Sequence, residues 1–121
     1  MENVSNADKL ESIKSLQSTI SKLEKALSQM TQKGANTILV KKRLKAACIG
    51  FAILENVWDQ RPHNYTQEDL AEARNVLAGL LPTIESSYVK SKAGSPQKTL
   101  LERRIKALEL AIRAIDNLSN K

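Results

Sequence analysis

The sequence predicts an all-α fold, an antiparallel up-down-up-down four-helix bundle, and three observations support this prediction. Apolar residues recur at steps of three and four in four long stretches, which is the spacing of one helix face. Only four glycines and three prolines interrupt the 121 residues, so long helices are allowed. In addition, the chain matches itself: at an offset of 61 residues, without a gap, the apolar positions of the two halves coincide.

The first predicted hairpin covers about residues 6–58. Its first helix is expected over 6–32 and its second over 37–58, because the three-and-four spacing runs through both segments. Gly34 is expected to stop the first helix, and Asn36 is a candidate N-cap for the second.

The second predicted hairpin covers about residues 66–118. Thr66 can cap the amide of Asp69, and Asp69 lies where a capping box carries its acid. Pro82 lies inside this third helix and removes one backbone hydrogen bond. The apolar register continues beyond it, so we expect helix 3 to be kinked at Pro82 and not ended. Ser95 followed by a proline is typical of the start of a helix, here helix 4.

The whole chain, residues 1–121, is predicted to be a single four-helix domain, since its length is typical of one domain with one core. Of the 53 residue pairs compared at the 61-residue offset, nine are identical. Internal duplication of one hairpin would explain this match. Alternatively, any two helical hairpins with similar apolar spacing can be aligned in this way, and the predicted architecture is the same under both explanations.

Composition excludes several classes of protein. The single cysteine, Cys48, cannot form an internal disulfide, and no Cys/His spacing indicates a metal site. The N-terminus lacks the basic start and apolar run of a secretory signal. The longest uncharged apolar run, 46–54, is about half of what a membrane span requires. We therefore expect a cytoplasmic protein without a membrane span, and with neither a metal nor another cofactor.

The charges are unevenly distributed along the chain, whose net charge is +6. In the predicted topology loops 1–2 and 3–4 share one end, and the segments nearest them, 22–45 and 85–106, hold thirteen basic and three acidic residues. We therefore expect a basic end and an acidic end. Two basic clusters lie in early turns of helices 2 and 4, where the helix dipole favours acids. They form a candidate binding site for an anionic partner: Lys41, Lys42, Arg43, Lys45, Arg103, Arg104 and Lys106. The alternative is a solvated face that only aids solubility.

Helix 2 carries more apolar residues than one core face needs. Ile49, Ile53 and Val57 project from a side of this helix that differs from its main apolar stripe. A helix that is apolar on several sides is either deeply buried or covered by a partner. We expect these three residues to contribute to an interface with a protein partner or a second copy of the chain. A wider core is the alternative.

The sequence contains no arrangement typical of an active site. His63 is the only histidine, and Cys48 lies in an apolar run that favours the neutral thiol. There is no glycine-rich phosphate loop and no inward Glu-x-x-His pattern of di-iron bundles. We therefore expect no enzyme activity.

The expected function is that of a protein-interaction or regulatory module, acting through the apolar side of helix 2 or through the basic end. The alternative is binding of nucleic acid or another polyanion, without sequence preference, through the same seven basic residues. Tyr88 is the one aromatic residue near them, so a platform for stacking bases is poorly supported.

Overall fold

The computed structural model describes residues 3–119 and contains four α-helices in this range, with no strand. Their bounds lie within two residues of the predicted ones. In chain order they are α1 (Asn6–Gln32), α2 (Ile38–Asp59), α3 (Gln67–Lys90) and α4 (Pro96–Ser119). The predicted all-α, four-helix fold is therefore confirmed.

Side-chain caps explain where these helices begin. The hydroxyl of Thr66 accepts a hydrogen bond from the Asp69 amide at 3.1 Å, and the Asp69 carboxylate accepts one from the Thr66 amide at 3.2 Å. This is the predicted capping box. α1 begins with a similar bond from a backbone amide to the Ser5 hydroxyl, at 3.1 Å. α2 differs, since its N-cap residue makes no side-chain bond, and the Asn36 side chain instead accepts from the amide of Ile38 at 3.0 Å. α3 continues through Pro82 and does not end there, as predicted, and the kink at Pro82 stays a prediction.

The helices form a closed arrangement around one core. α1 packs on α2, α2 on α3, α3 on α4 and α4 on α1, and α2 also packs directly on α4. A Cβ atom placed on Gly50 of α2 would lie 3.2 Å from both the Ala111 Cβ of α4 and the Leu77 Cδ1 of α3. Because α2 and α4 each touch three helices, they bury more of their circumference than α1 and α3, which touch two. None of the helices within residues 3–119 is long and apolar enough to cross a bilayer.

The buried positions of α2 recur in α4 at the same 61-residue offset. In α2 they are Val40, Ala46, Ala47, Ile49, Gly50, Ile53 and Leu54. In α4 they are Leu101, Ala107, Leu108, Leu110, Ala111, Ala114 and Ile115. The two residues at the tight contact, Gly50 and Ala111, are themselves equivalent. The two hairpins therefore place equivalent residues in equivalent surroundings. Their descent from one ancestral hairpin stays a prediction.

Candidate functional site

The basic cluster on α2 consists of three exposed cations and one that is paired. Lys41, Lys42 and Arg43 are exposed and take part in no salt bridge with the residues described, 3–119. Lys45 instead donates a hydrogen bond from Nζ to Asp69 Oδ1 of α3, at 3.2 Å. Of the four cations in the α2 cluster, Lys45 alone is therefore paired with an acid of the described residues.

The basic cluster on α4 is more strongly engaged. Lys106 Nζ donates to Asp8 Oδ2 of α1 at 2.7 Å, and Arg103 lies 3.5 Å from a carboxylate oxygen of Glu11. Arg104 is half-buried, and its Nε is buried without a hydrogen-bond partner among the described residues. Two of the three α4 cations are therefore bound to acids of α1.

The salt bridges change the pKa values of the groups that form them. The hydrogen bond from Lys106 holds the pKa of Asp8 below its ordinary value of 3.8, and the Asp8 carboxylate raises the pKa of Lys106. The pKa of Asp69 is also lowered, first by the backbone amide of Thr66 and then by Lys45. Both carboxylates therefore keep their charge to a lower pH than an unpaired aspartate would.

The predicted separation of a basic end from an acidic end does not hold at three of the cations, Lys45, Arg103 and Lys106. Asp8, Glu11 and Asp69 lie outside segments 22–45 and 85–106, in the part of the chain expected to form the acidic end, yet each contacts a residue of a basic cluster. The reason is the relative position of the two hairpins. The start of α3 lies beside the first half of α2, and the start of α1 lies beside the middle of α4, as the pairs Lys45–Asp69 and Lys106–Asp8 show.

The two hairpins contact each other through equivalent residues. At the 61-residue offset Lys45 corresponds to Lys106 and Asp8 corresponds to Asp69, so the two lysine–aspartate salt bridges are copies of one another. The contact between α2 and α3 is therefore equivalent to the contact between α4 and α1. This correspondence allows the two contacts to be compared residue by residue.

The contact between α4 and α1 is open to solvent in three places. A groove of about 360 Å³ lies on one side of it and is lined by Ala7, Leu10, Glu11, Lys14, Ser15, Ser18, Leu100, Arg103 and Arg104. On the other side of the contact lie cavities of about 220 and 510 Å³ that share Asp8, Glu102 and Lys106. At the equivalent contact between α2 and α3, the corresponding cavity beside Lys45 and Asp69 measures only about 10 Å³.

The predicted interface on α2 is corrected by the structure. Ile49 and Ile53 are 1% and 0% exposed, and both belong to the core of the chain itself. Val57 is half-buried and packs against the same core. The extra apolar side of α2 faces a third helix, so the wider core, and not a partner or a homodimer, accounts for these residues.

The residues considered for catalysis are placed as follows. His63 Nδ1 accepts a hydrogen bond from the Tyr65 amide at 3.2 Å, and the two rings stack with centroids 6.0 Å apart. Burial, and to a smaller extent the charge of Glu24, raises the pKa of Cys48, which keeps the thiol protonated. Over residues 3–119, no group of three or more His, Cys, Asp or Glu side chains is arranged to hold a metal ion.

Of the nine residues that line the groove, sequence reasoning named only Arg103 and Arg104, and among the seven that it missed are Leu10, Lys14 and Leu100. Leu10 and Leu100 are 57% and 54% exposed although both are large and apolar. A signal for them exists in the sequence. Leu100 lies beside the apolar stripe of helix 4 and not in it, and a basic residue follows each leucine four positions later, which places leucine and cation on the same helix face.

Comparison with known proteins gives no further information about this site: no family model, no curated protein and no solved structure matches the chain.

Proposed function

We propose that the protein is a non-catalytic interaction module that binds an acidic surface of a partner protein through the basic residues of α2 and α4. One observation carries this proposal. Lys41, Lys42, Arg43 and Arg104 form no salt bridge with the described part of the chain, whereas the other three basic residues of the two clusters are paired with acids of neighbouring helices.

The distinction between paired and unpaired cations supports a division of roles. Lys45, Arg103 and Lys106 link the two hairpins, so the fold itself accounts for them. The positive charges of Lys41 and Lys42 lie in the first turns of α2, where the helix dipole makes a cation unfavourable by a few tenths of a kcal/mol, roughly, at an exposed site. An external anionic partner accounts for cations that the fold does not use.

A second candidate function is electrostatic binding of nucleic acid. The observation that favours it is the run of Lys41, Lys42 and Arg43, three consecutive exposed cations that suit contacts to a phosphate backbone. Base stacking has little support, because the ring of Tyr88 is already covered by Lys98, whose Nζ lies 4.5 Å from the ring centroid.

Affinity capture from the native organism, with and without nuclease treatment, separates the two candidates. The test variant replaces the four unpaired cations by glutamine and leaves the three paired ones in place. A control variant replaces four exposed lysines near the ends of α1 and α3, so that both variants have the same net charge: Lys22, Lys25, Lys90 and Lys92.

The proposal expects a protein partner that is recovered by the natural chain and by the control variant, is lost with the test variant, and survives nuclease treatment. Recovery that disappears after nuclease treatment, together with binding of DNA or RNA that weakens steeply between two salt concentrations, would establish the alternative. Equal recovery by both variants would show that the four unpaired cations bind nothing.

A further inference from the structure

The groove between α1 and α4 combines exposed leucines with cations. Leu10 of α1 and Leu100 of α4 are more than half exposed, and both line this groove of about 360 Å³. From Leu10 to Ser18 the groove follows α1 for about 12 Å, or roughly two turns, at 1.5 Å per residue. The groove is therefore a trough between two helices, and each helix contributes one exposed leucine to it.

The cations of the groove exceed its acids. Lys14, Arg103 and Arg104 line it together with a single acid, Glu11, which is bound to Arg103 at 3.5 Å. Arg104 has an Nε atom that is buried without a hydrogen-bond partner among residues 3–119. A carboxylate entering the groove would face Lys14 and the Arg104 side chain, neither of which forms a salt bridge with the described residues.

We propose that the groove binds an acidic amphipathic helix of the partner protein; this inference rests on the interaction function proposed above. Apolar side chains of the bound helix contact Leu10 and Leu100, and its carboxylates face Lys14 and Arg104. An amphipathic helix placed in a groove between two helices is a common mode of peptide recognition, with anchors spaced three or four residues apart.

Two other occupants fit the groove less well. A nucleic acid backbone would satisfy the cations but would leave Leu10 and Leu100 exposed, and the described lining contains no aromatic residue for stacking a base. A membrane surface would have to reach two leucines that lie in a concave site. An acidic amphipathic helix can contact both the leucines and the cations, because it carries an apolar face beside an acidic face.

The other hairpin supplies a natural reference for this site. Leu39 and Arg43 of α2 are equivalent to Leu100 and Arg104, and Leu39 is 59% exposed. On the neighbouring helix, however, Ala71 and Asn75 of α3 take the places of Leu10 and Lys14. The equivalent surface thus keeps one leucine and one arginine but lacks the second leucine and the second cation. The proposal therefore assigns binding of the amphipathic helix to the α1–α4 groove, and leaves Lys41, Lys42 and Arg43 to contact other acidic residues of the partner.

The test uses a fluorescent synthetic peptide of about 18 residues, or five helical turns, with leucines at every third and fourth position and glutamates elsewhere. Fluorescence anisotropy measures its binding to the full chain. Comparison probes are the same peptide with lysine replacing glutamate, a version broken by two prolines, a single-stranded DNA oligonucleotide, and vesicles of phosphatidylserine and phosphatidylcholine. The variants are Leu100→Ser and Arg104→Gln, with Leu39→Ser and Lys90→Gln as controls.

We expect saturable binding of the acidic helical peptide alone, weakened about tenfold, or 1.4 kcal/mol, by Leu100→Ser and by Arg104→Gln. The control variants should change it less than about twofold, on the same scale. Because Leu39 and Leu100 are about equally exposed, both serine variants should fold equally well.

Three results would overturn the inference: failure of the acidic peptide to bind, equal weakening by the Leu39 and Leu100 variants, or binding of DNA or vesicles that depends on Leu100. Each can be distinguished from failure of the proposed function. If a protein partner is captured through the four unpaired cations but Leu100→Ser has no effect on that capture, the interaction function stands and the groove is not its site.

Discussion

The contact between α2 and α3 and the contact between α4 and α1 contain equivalent salt bridges, but they differ in the volume of the cavity beside the salt bridge. Lys45–Asp69 and Lys106–Asp8 occupy equivalent positions. Beside the first pair the cavity is about 10 Å³, and beside the second it is about 220 Å³. The two contacts are therefore equivalent in position but differ in packing: the α2–α3 contact is closed and the α4–α1 contact is open. Only the open contact has room for a ligand or a partner.

A few residues produce this difference. Tyr65 packs against the core at the closed contact, where its counterpart at the open contact is the smaller Val4. Val4 lines the cavity of about 510 Å³. Similarly, the buried Ala73 of the closed contact corresponds to the buried Ser12, whose side chain lines the cavity of about 220 Å³. These substitutions provide ways to test whether the two contacts differ as described.

The largest expected loss of stability comes from a substitution at the contact between α2 and α4, to which each hairpin contributes one helix. Gly50→Leu places a side chain where even a Cβ would lie 3.2 Å from Ala111 and Leu77, so we expect a loss of about 3 kcal/mol or more in the free energy of unfolding. Gly79→Leu on α3 is the control, because nothing lies within 4 Å of its Cβ position. There leucine should stabilise the helix by about 0.8 kcal/mol. Urea denaturation of both variants measures this, and equal stabilities would contradict the tight packing at Gly50.

The next effect compares the residues that fill the two contacts. Tyr65→Ala removes a half-buried ring that packs on the core and stacks on His63, and we expect a loss of about 2 kcal/mol. Val4→Ala removes two methyl groups at the open contact and should cost about 1 kcal/mol or less. Thermal unfolding followed by circular dichroism provides the comparison. A larger loss for Val4→Ala would show that the α4–α1 contact is not the loosely filled one.

The helices could be predicted from the sequence because their signals are local. The capping box of Thr66 and Asp69 and the spacing of residues such as Leu16 and Leu77 need only a few neighbouring residues to be recognised. Of the α2 positions that the 61-residue match placed in the core, Val40, Ala47 and Leu54 are buried together with their partners in α4, whereas Leu44 and Phe51 are only half-buried. These features do not depend on how the two hairpins are placed against each other.

The candidate site could be predicted only in part, because it depends on that placement. The close fit of Gly50 against Ala111 helps to determine how the two hairpins are placed against each other. Nothing in the linear sequence marks these two residues as a contact. As a result, the contacts of Asp8 and Asp69 with the basic clusters cannot be predicted from the sequence. For the same reason Ile49 was interpreted as an interface residue, since the third neighbour of α2 is not visible in the sequence. The basic residues were found, but the leucines beside them were not.

A smaller effect on the free energy of unfolding is expected at the position where the closed contact has Ala73 and the open contact has Ser12. Ala73→Ser adds a hydroxyl at a closed site, where burial of a donor without a good partner costs about 1 kcal/mol. Ser12→Ala should be nearly neutral, because the hydroxyl lost there lines a cavity open to solvent. Chemical denaturation of both variants measures the asymmetry. Equal losses would indicate that the serine at position 12 contributes as much to packing as the alanine at position 73.

The smallest effect concerns pH, and it compares the two salt bridges directly. Asp8 and Asp69 both have a pKa below the ordinary 3.8, so their stabilisation is present above that pH and is lost as pH falls through the lower, folded-state value. The pKa of Lys106 lies above 10.5, so its contribution is present below that pH and is lost as pH rises through the folded-state value.

We therefore expect Asp8→Asn to flatten the melting temperature's dependence on pH at both the acid and the alkaline limit. Asp69→Asn should flatten the acid limit and should also lower the melting temperature at pH 7 more than Asp8→Asn does, because the Asp69 carboxylate in addition caps α3 through the Thr66 amide. Identical pH profiles for the two variants would contradict this difference, and they would indicate that the two contacts are equivalent in energy as well as in position.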